Sequence, residues 1–355
     1  MSDIIIIGGG IAGGSLAAAV SADADVVLLE AEDVFGYHAT GRSAAMYEPN
    51  YGNVVINTLT RASHSAFKEA DVLSPRGVLY LADENEQHLM DAIADADFND
   101  RVTLEEALAL VPILNLANIR DAVLATAACD LDVDKLFQSR LKIARANGAQ
   151  LHTKAGVNGI HFDSQWHVRT AVGEFSAPIL VNAAGAWADQ IAGLAGAKPL
   201  GIQPYRRSVA RLPAPRGLDV SDWPMLLSAA ETWYAKPDAG KWLVSSAEED
   251  PVDPMDAWAD DMVLAEGLAR YQEFVTEEVT RVESNWAGLR SFAPDRTPVV
   301  GFDGVAQGFF WLAGQGGYGV QTSPALSALA ADIILGRTPD FDTGIIAALS
   351  PSRSM

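Results

Sequence analysis

The residues best suited to chemistry open the chain. Gly8, Gly10 and Gly13 stand in the spacing G-x-G-x-x-G directly after four isoleucines, Ile4 to Ile7, and Glu30 ends a second apolar run that begins at Val26. A strand, a glycine turn, a small-residue helix to Val20 and a second strand in that order form a βαβ unit. In such a unit the first glycine permits the tight turn, the second lets backbone approach a pyrophosphate, and the third lets the helix press against the strand. The helix N-terminus then presents free N–H groups to the anion. Glu30 is placed to accept a hydrogen bond from an adenosine ribose 2′-OH. The pattern predicts dinucleotide binding; the bland alternative is a glycine-rich turn without a ligand.

A second set of donors lies in the loop from Gly36 to Tyr47, where Thr40, Arg42 and Ser43 sit among small residues, with Tyr51 and Asn53 closing it. A nicotinamide fold would place a plain crossover helix here. This loop instead suits a long, bent cofactor, with Thr40, Arg42 and Ser43 donating to its phosphates and ribityl chain; an ordinary polar connection is the alternative. The six histidines are scattered, none paired at a spacing such as H-E-x-x-H, and no metal is expected. The single cysteine, Cys129, rules out an intramolecular disulfide framework and reads as a small buried apolar residue.

These residues need a frame, and 355 residues with 49% hydrophobic content can bury two cores. A net charge of −21 repels phosphate backbones, so nucleic acid is not an expected partner. The acidic cluster from Glu248 through Asp250, Asp253, Asp256, Asp260 and Asp261 reads as a solvated loop leading into a helix, with a partner-binding patch as the alternative. No apolar run is long enough to span a bilayer and no basic stretch precedes the first strand, so the expected location is cytoplasmic.

Helices are predicted over 55–70, 84–94, 134–146, 264–275 and 319–335, with a capping box at Thr103 and Glu106. Strands are predicted over 73–81 (interrupted by Pro75 and Gly77), 179–187, 203–211, 225–228, 233–236, 241–245, 298–302 and 309–313, with a meander through 159–175. The fold class is α/β (α+β overall), a Rossmann-type domain with an inserted antiparallel-sheet domain. The former is assigned to 1–50, 135–200 and 290–355, the latter to 51–134 and 201–289.

Taken together, Gly8-x-Gly10-x-x-Gly13 with Glu30, Gly41-Arg42-Ser43, Val181-Asn182-Ala183-Ala184-Gly185 and Gly316-Gly317-Tyr318-Gly319 resemble the D-amino-acid oxidase superfamily of FAD enzymes, in order and over nearly the whole chain. The bacterial D-arginine dehydrogenases are the nearest likeness, through the run from Gly36 to Ala45, Gln203-Pro204-x-Arg206-Arg207-Ser208, Asp222 to Leu226, Tyr234 to Gly240 and Trp286 to Phe292. The resemblance implies non-covalent FAD held by Gly8, Gly10, Ile11, Gly13, Glu30, Ala31, Thr40, Arg42, Ser43, Ala44, Ala45, Met46, Val157, Gly185, Trp187, Gly316, Gly317, Tyr318, Gly319, Gln321 and Thr322. It also implies a substrate carboxylate clamped by Arg207 and Arg290, with Tyr51 and Tyr234 beside them, the Gly317 carbonyl facing the amine and Gln321 in the catalytic set. Two arginines aimed into one pocket need an anion, and the guanidinium fork suits a carboxylate; a structural salt bridge is the alternative for each.

The chain departs from the likeness twice, with Met46 where those enzymes carry histidine and Val78 where they carry the glutamate that receives a guanidinium. The second change favours an apolar substrate side chain, with Glu48 as a displaced substitute in the rival account. The implied activity is oxidative deamination of a small, apolar D-amino acid to the 2-oxo acid and ammonia, by hydride transfer from Cα to flavin N5. Tyr51 or a water is the best available base. Oxygen and a quinone-type carrier both stay open as acceptor. Oxidation of an N-methyl or cyclic amino acid, or of a 2-hydroxy acid, is the alternative on the same fold, and a flavin-binding protein with weak catalysis is the alternative from another class.

Overall fold

The protein is described from a computed structural model over residues 2–354. Ile4–Ile7 lies in the interior of a six-stranded sheet, parallel to Val26–Leu29 on one side and Ile179–Asn182 on the other. Gln150–His152 and Phe309–Ala313 extend it in parallel, and Val299–Phe302 closes one edge antiparallel. A central parallel strand is covered on both faces, which is why these strands are unbroken apolar runs. Ile4, Ile6, Val26 and Leu28 pack toward Leu16 of the Ile11–Val20 helix, Leu136 of Val133–Ala146 and Leu329 of Gly319–Ile334. Ile5, Ile7, Val27 and Leu29 point the other way, toward Trp166 and Val168 of the three-stranded meander and Ile191 of the Ala188–Leu194 helix. The period of two thus divides one run of isoleucines between two cores.

The second large sheet runs in the order Gln315–Gly316, Ser284–Phe292, Gln203–Leu212, Lys241–Ser245, Tyr234–Asp238, Met225–Ser228, Val78–Ala82, Asp121–Ala125, Asn99–Val102, with Asp250–Pro251 added beside Gln203–Leu212. It is antiparallel except where Met225–Ser228 meets Val78–Ala82 in parallel, because those neighbours come from separate stretches of chain. One face carries Leu79, Leu226, Trp242 and Val244 against Leu264 and Leu268 of the Asp261–Glu273 helix. The opposite face is left to the cavity described below.

Several local expectations change. The strand predicted over 73–81 is two, Leu73–Pro75 and Val78–Ala82, in different sheets. The helix predicted over 84–94 contracts to a turn at Gln87–Leu89 and a helix at Met90–Ala94, because the Asp83 carboxylate takes the Asn85 and Glu86 N–H groups in a turn of its own. Ser284–Phe292, the strand that carries Arg290, was not foreseen as a full strand. The capping box forms as expected, with both Thr103 and Glu106 hydrogen bonds present. Among the described residues, no helix is long and apolar enough to cross a membrane.

Candidate active site

At the carboxyl end of Ile4–Ile7 the chain turns at Gly8, whose φ of +109° excludes a side chain in any case, since a Cβ would lie 2.3 Å from the Ala183 carbonyl oxygen. Gly13 presses the following helix onto the turn, leaving 2.0 Å between a hypothetical Cβ and the Gly8 oxygen. The Gly10 N-cap offers no side chain to this helix, and its Ile11 N–H is taken by Thr40 Oγ1 at 2.9 Å. Gly8, Gly10, Ile11 and Ala12 line a cavity of about 570 Å³. The positive end of the helix dipole and N–H groups without a cap side chain suit an anion there.

Glu30 stands beside this turn, its Oε2 accepting the Gly9 N–H at 2.8 Å and its Oε1 the Glu32 N–H at 2.9 Å. Each oxygen keeps a lone pair for a hydroxyl. Ala31, Thr40, Ser43, Ala44, Ala45, Met46, Val157, Gly185 and Trp187 line the same cavity, as do Gly316, Gly317, Gly319 and Gln321. Gly13, Tyr318 and Thr322 do not. Gly13 acts by packing, and Thr322 Oγ1 donates to the Tyr318 carbonyl at 2.9 Å inside the last long helix.

Arg42 lines the cavity but is already engaged: Nη1 donates to the Ala257 and Ala287 carbonyls at 2.8 and 3.1 Å, and Nη2 pairs with Asp256. These bonds make it a clasp that ties the loop to the second sheet's surroundings. The acidic stretch leads into a helix as expected but is more engaged than a solvated loop. Asp256 holds Arg42, Asp250 holds Arg206 at 3.1 Å, and Asp260 caps the Asp261–Glu273 helix by accepting the Met262 and Val263 N–H groups, so much of the cluster is paired rather than simply solvated.

The substrate half of the cavity is built by sheet register. Arg207 faces Gly288 across Gln203–Leu212 and Ser284–Phe292, and Tyr205 faces Arg290, so Arg207 and Arg290 are diagonal neighbours on one face. Val209, Tyr234, Leu227 and Tyr80 continue that face through the pairs Val209 with Ser245, Ser245 with Tyr234, Tyr234 with Leu227, and Leu227 with Tyr80. Met225 opposite Val78 completes it. All eight of these side chains, from Arg290 to Val78, line the cavity. Tyr80 was missed from sequence, although its alternation with Val78 was available as the signal.

Tyr51 enters from the opposite wall, and Arg290 Nη2 donates to its hydroxyl at 3.0 Å. Gly317 is what allows this approach, because a Cβ there would lie 2.1 Å from Arg290 Nη2. Burial, partly offset by Arg290 and Arg207, pushes the Tyr51 phenol up to about 12, so it keeps its proton at neutral pH and does not serve as a base. For Arg290, burial works against the charge, but Tyr51, Tyr318 and Glu249 outweigh it and the guanidinium ends above its ordinary value. Arg207 moves the other way through burial and the adjacent Arg290 charge.

A carboxylate already sits on this pair. Glu249 Oε1 accepts from Arg290 Nη1 at 2.9 Å and from Arg207 Nη2 at 3.4 Å, while Arg296 Nη2 contacts both Glu249 oxygens at 2.9 and 3.0 Å. The cavity lining also includes Glu48, 4% exposed, whose Oε1 accepts the Asn50 N–H at 2.9 Å and whose Oε2 has no hydrogen-bond partner. Burial raises its carboxyl to about 7, against smaller lowering by the Asn50 N–H and Arg61. Gln321 Oε1 accepts the Glu48 N–H at 3.2 Å, and its buried Nε2 has no partner. Glu231, at φ +54°, also reaches the cavity wall and was not foreseen. The buried, unpartnered atoms of Glu48 and Gln321, together with the cap-free glycine turn, fit a long polar ligand that runs the length of the cavity.

The family model described as FAD dependent oxidoreductase matches residues 3–333. Among curated relatives, the uncharacterized oxidoreductase YurR of Bacillus subtilis is 26% identical over 262 residues, 68% of this chain and 64% of its own length. Hydrogen cyanide synthase subunit HcnC of Pseudomonas aeruginosa is 26% identical over 60% of this chain and 51% of its own. The match thus spans from about half to just under two thirds of these two relatives. Among solved structures, glycine oxidase from Geobacillus kaustophilus superposes with a TM-score of 0.86 at 23% identity, covering 100% of this chain and 99% of that one. L-proline dehydrogenase from P. horikoshii superposes with a TM-score of 0.80 at 22% identity, covering 95% and 94%. Likenesses at these identities establish a shared fold.

Proposed function

Because the chain belongs to the FAD dependent oxidoreductase family, whose model matches residues 3–333, we propose that it oxidises the Cα–N bond of a small amino acid whose carboxylate is held between Arg207 and Arg290. The observation that carries this reading is the diagonal arginine pair with one carboxylate oxygen, that of Glu249, seated on both guanidinium groups. FAD is the cofactor, and when bound it supplies the oxidising centre that takes a hydride from Cα. The glycine turn and Glu30 would hold its adenosine and pyrophosphate end, with Ser43 to Met46 and Gly316 to Gln321 around the remainder, bound without a covalent link.

The chain's own residues then have separable tasks. Arg207 and Arg290 fix the carboxylate and so the orientation of Cα. Tyr51 keeps its proton and offers it to the same carboxylate, and Tyr234 borders the pair from the next strands. Val78, Met225, Leu227 and Tyr80 form an apolar wall for the side chain and keep water away from the reacting carbon. Oxidation leaves an imino acid, which water hydrolyses to a 2-oxo acid and ammonia. The D configuration rests on the resemblance, as does the division into cofactor segments 1–50, 135–200 and 290–355 and substrate segments 51–134 and 201–289; the two sheets follow that division only in part, since Val54–Glu69 packs in the first sheet's core and Ser284–Phe292 runs past residue 290 in the second.

One observation favours a second reading. Glu48 places a buried carboxyl with a free oxygen in the substrate half of the cavity, and an ionised Glu48 would receive a cationic side chain. Anaerobic mixing with a panel of D- and L-amino acids, sarcosine, proline and 2-hydroxy acids tests both. Loss of the flavin's yellow absorbance with small apolar D-amino acids is the expected result, and bleaching by none of the panel would overturn the assignment.

A further inference from the structure

Far along the chain from the arginine pair, the hairpin made by Val157–Phe162 and Trp166–Thr170 brings His161, Asp163 and His167 together. His161 and His167 are directly opposed residues of the two antiparallel strands, and their rings stack with centroids 4.6 Å apart and planes within 6°. Asp163, in the turn, places Oδ1 3.0 Å from His167 Nε2. One ligand atom from each of the three residues lies within 4.8 Å of the others. A six-residue spacing is invisible to helical metal motifs, but across a hairpin it puts two imidazoles on one face.

We propose that this hairpin is a binding site for a divalent transition-metal ion of the zinc, nickel and copper class. Two imidazole nitrogens and one carboxylate oxygen form a donor set that suits these ions, whereas calcium and magnesium prefer all-oxygen shells. A shared ion at about 2.1 Å from each ligand atom draws them to within about 4 Å of one another, a closure that torsions of these surface side chains supply. Water fills the remaining coordination positions. The bound ion links the two strands across the pair His161 and His167, so it stabilises the folded hairpin by mass action.

The test uses tag-free, FAD-loaded protein titrated calorimetrically with Zn²⁺ alone, and with Cu²⁺ read by electron paramagnetic resonance. One equivalent should bind, and the copper spectrum should show two imidazole nitrogens. His161→Ala and His167→Ala should each weaken Zn²⁺ binding at least tenfold and leave one coupled nitrogen, with Asp163→Asn weakening it less. His88→Ala, at an exposed histidine elsewhere, should change nothing, and retained yellow colour in every variant shows that the chain has folded. Zn²⁺ binding unchanged by the His161 and His167 substitutions, or a copper spectrum with no imidazole nitrogen, would overturn the proposal.

Discussion

Arg290 Nη1 donates to Glu249 Oε1 at 2.9 Å, so the guanidinium that would clamp a substrate carboxylate already holds one from its own chain. The same oxygen takes Arg207 at 3.4 Å, while Arg296 grips both Glu249 oxygens. A substrate carboxylate must therefore compete with Glu249. Glu249→Gln should tighten binding of a non-oxidisable carboxylate inhibitor by roughly fivefold, a surface-type ion pair being worth about 1 kcal/mol. Titration of the flavin spectrum with the inhibitor measures it, and weaker binding in the variant would show that Glu249 orients the arginines instead.

Arg290→Met removes one of two charged partners of a desolvated carboxylate, which costs about 2–5 kcal/mol. KM for the amino acid should rise by more than tenfold while the flavin remains bound, since cofactor contacts along the glycine turn are untouched. Unchanged affinity and turnover would leave Arg290 with only its structural bonds to Glu249 and Tyr51.

How much of this was legible in the sequence depends on whether a contact is local. The βαβ unit was readable because each of its devices lies within one short stretch from Ile4 to Glu30. Arg207 and Arg290 were legible only through resemblance, since they stand 83 positions apart in sequence and are made neighbours by strand register, as the pairing of Tyr205 with Arg290 shows. The role of Glu249 was hidden for the same reason, as a carboxylate in an acidic run reads as solvated until three arginines from other strands and loops converge on it. Arg42 shows the same limit: its loop predicts a phosphate donor, but its pairing with Asp256, 214 positions away in sequence, could not be read from the loop.

The cofactor should leave the protein on acid precipitation. Cys129, the only cysteine, lies in the strand Cys129–Leu131 and does not line the cavity, and His38, which does, is engaged with Glu32 at 2.9 Å and packed against Trp187. The yellow colour is expected in the supernatant. Colour retained in the pellet would mean a covalent link.

Glu48 gives stability a pH dependence of known sign. Its folded carboxyl titrates near 7 against an ordinary 4.5, so between these values the native state holds a proton that the unfolded chain has lost. Stability from this group is therefore fully present below about 4.5, declines as pH rises and is lost above about 7, a change of about 3 kcal/mol. Glu48→Gln should flatten that decline, raising stability relative to the unmodified protein at pH 8 more than at pH 5. Urea denaturation at both pH values with saturating FAD measures the difference, and an identical slope in the two proteins would place the proton elsewhere.

The same titration decides between the two side-chain readings. Val78 is buried on the sheet face that lines the cavity, so a substrate side chain against it gains from apolar burial at roughly 25 cal/mol per Å², and Val78 itself offers no charge to a guanidinium. At pH 6 Glu48 is largely protonated and supplies no full counter-ion. D-Leucine should therefore exceed D-arginine in kcat/KM by at least tenfold at pH 6. If Glu48 receives cations once ionised, the ratio must shift toward D-arginine as pH passes through about 7, and Glu48→Gln must abolish that shift. Val78→Glu adds a carboxyl to the apolar stretch of the wall and should move preference toward D-arginine without disturbing the arginine pair. A clear excess for D-arginine in the unmodified protein at pH 6 would sink the apolar reading, because an ionised carboxylate on the cavity wall, that of Glu48 or Glu231, would then hold the cation.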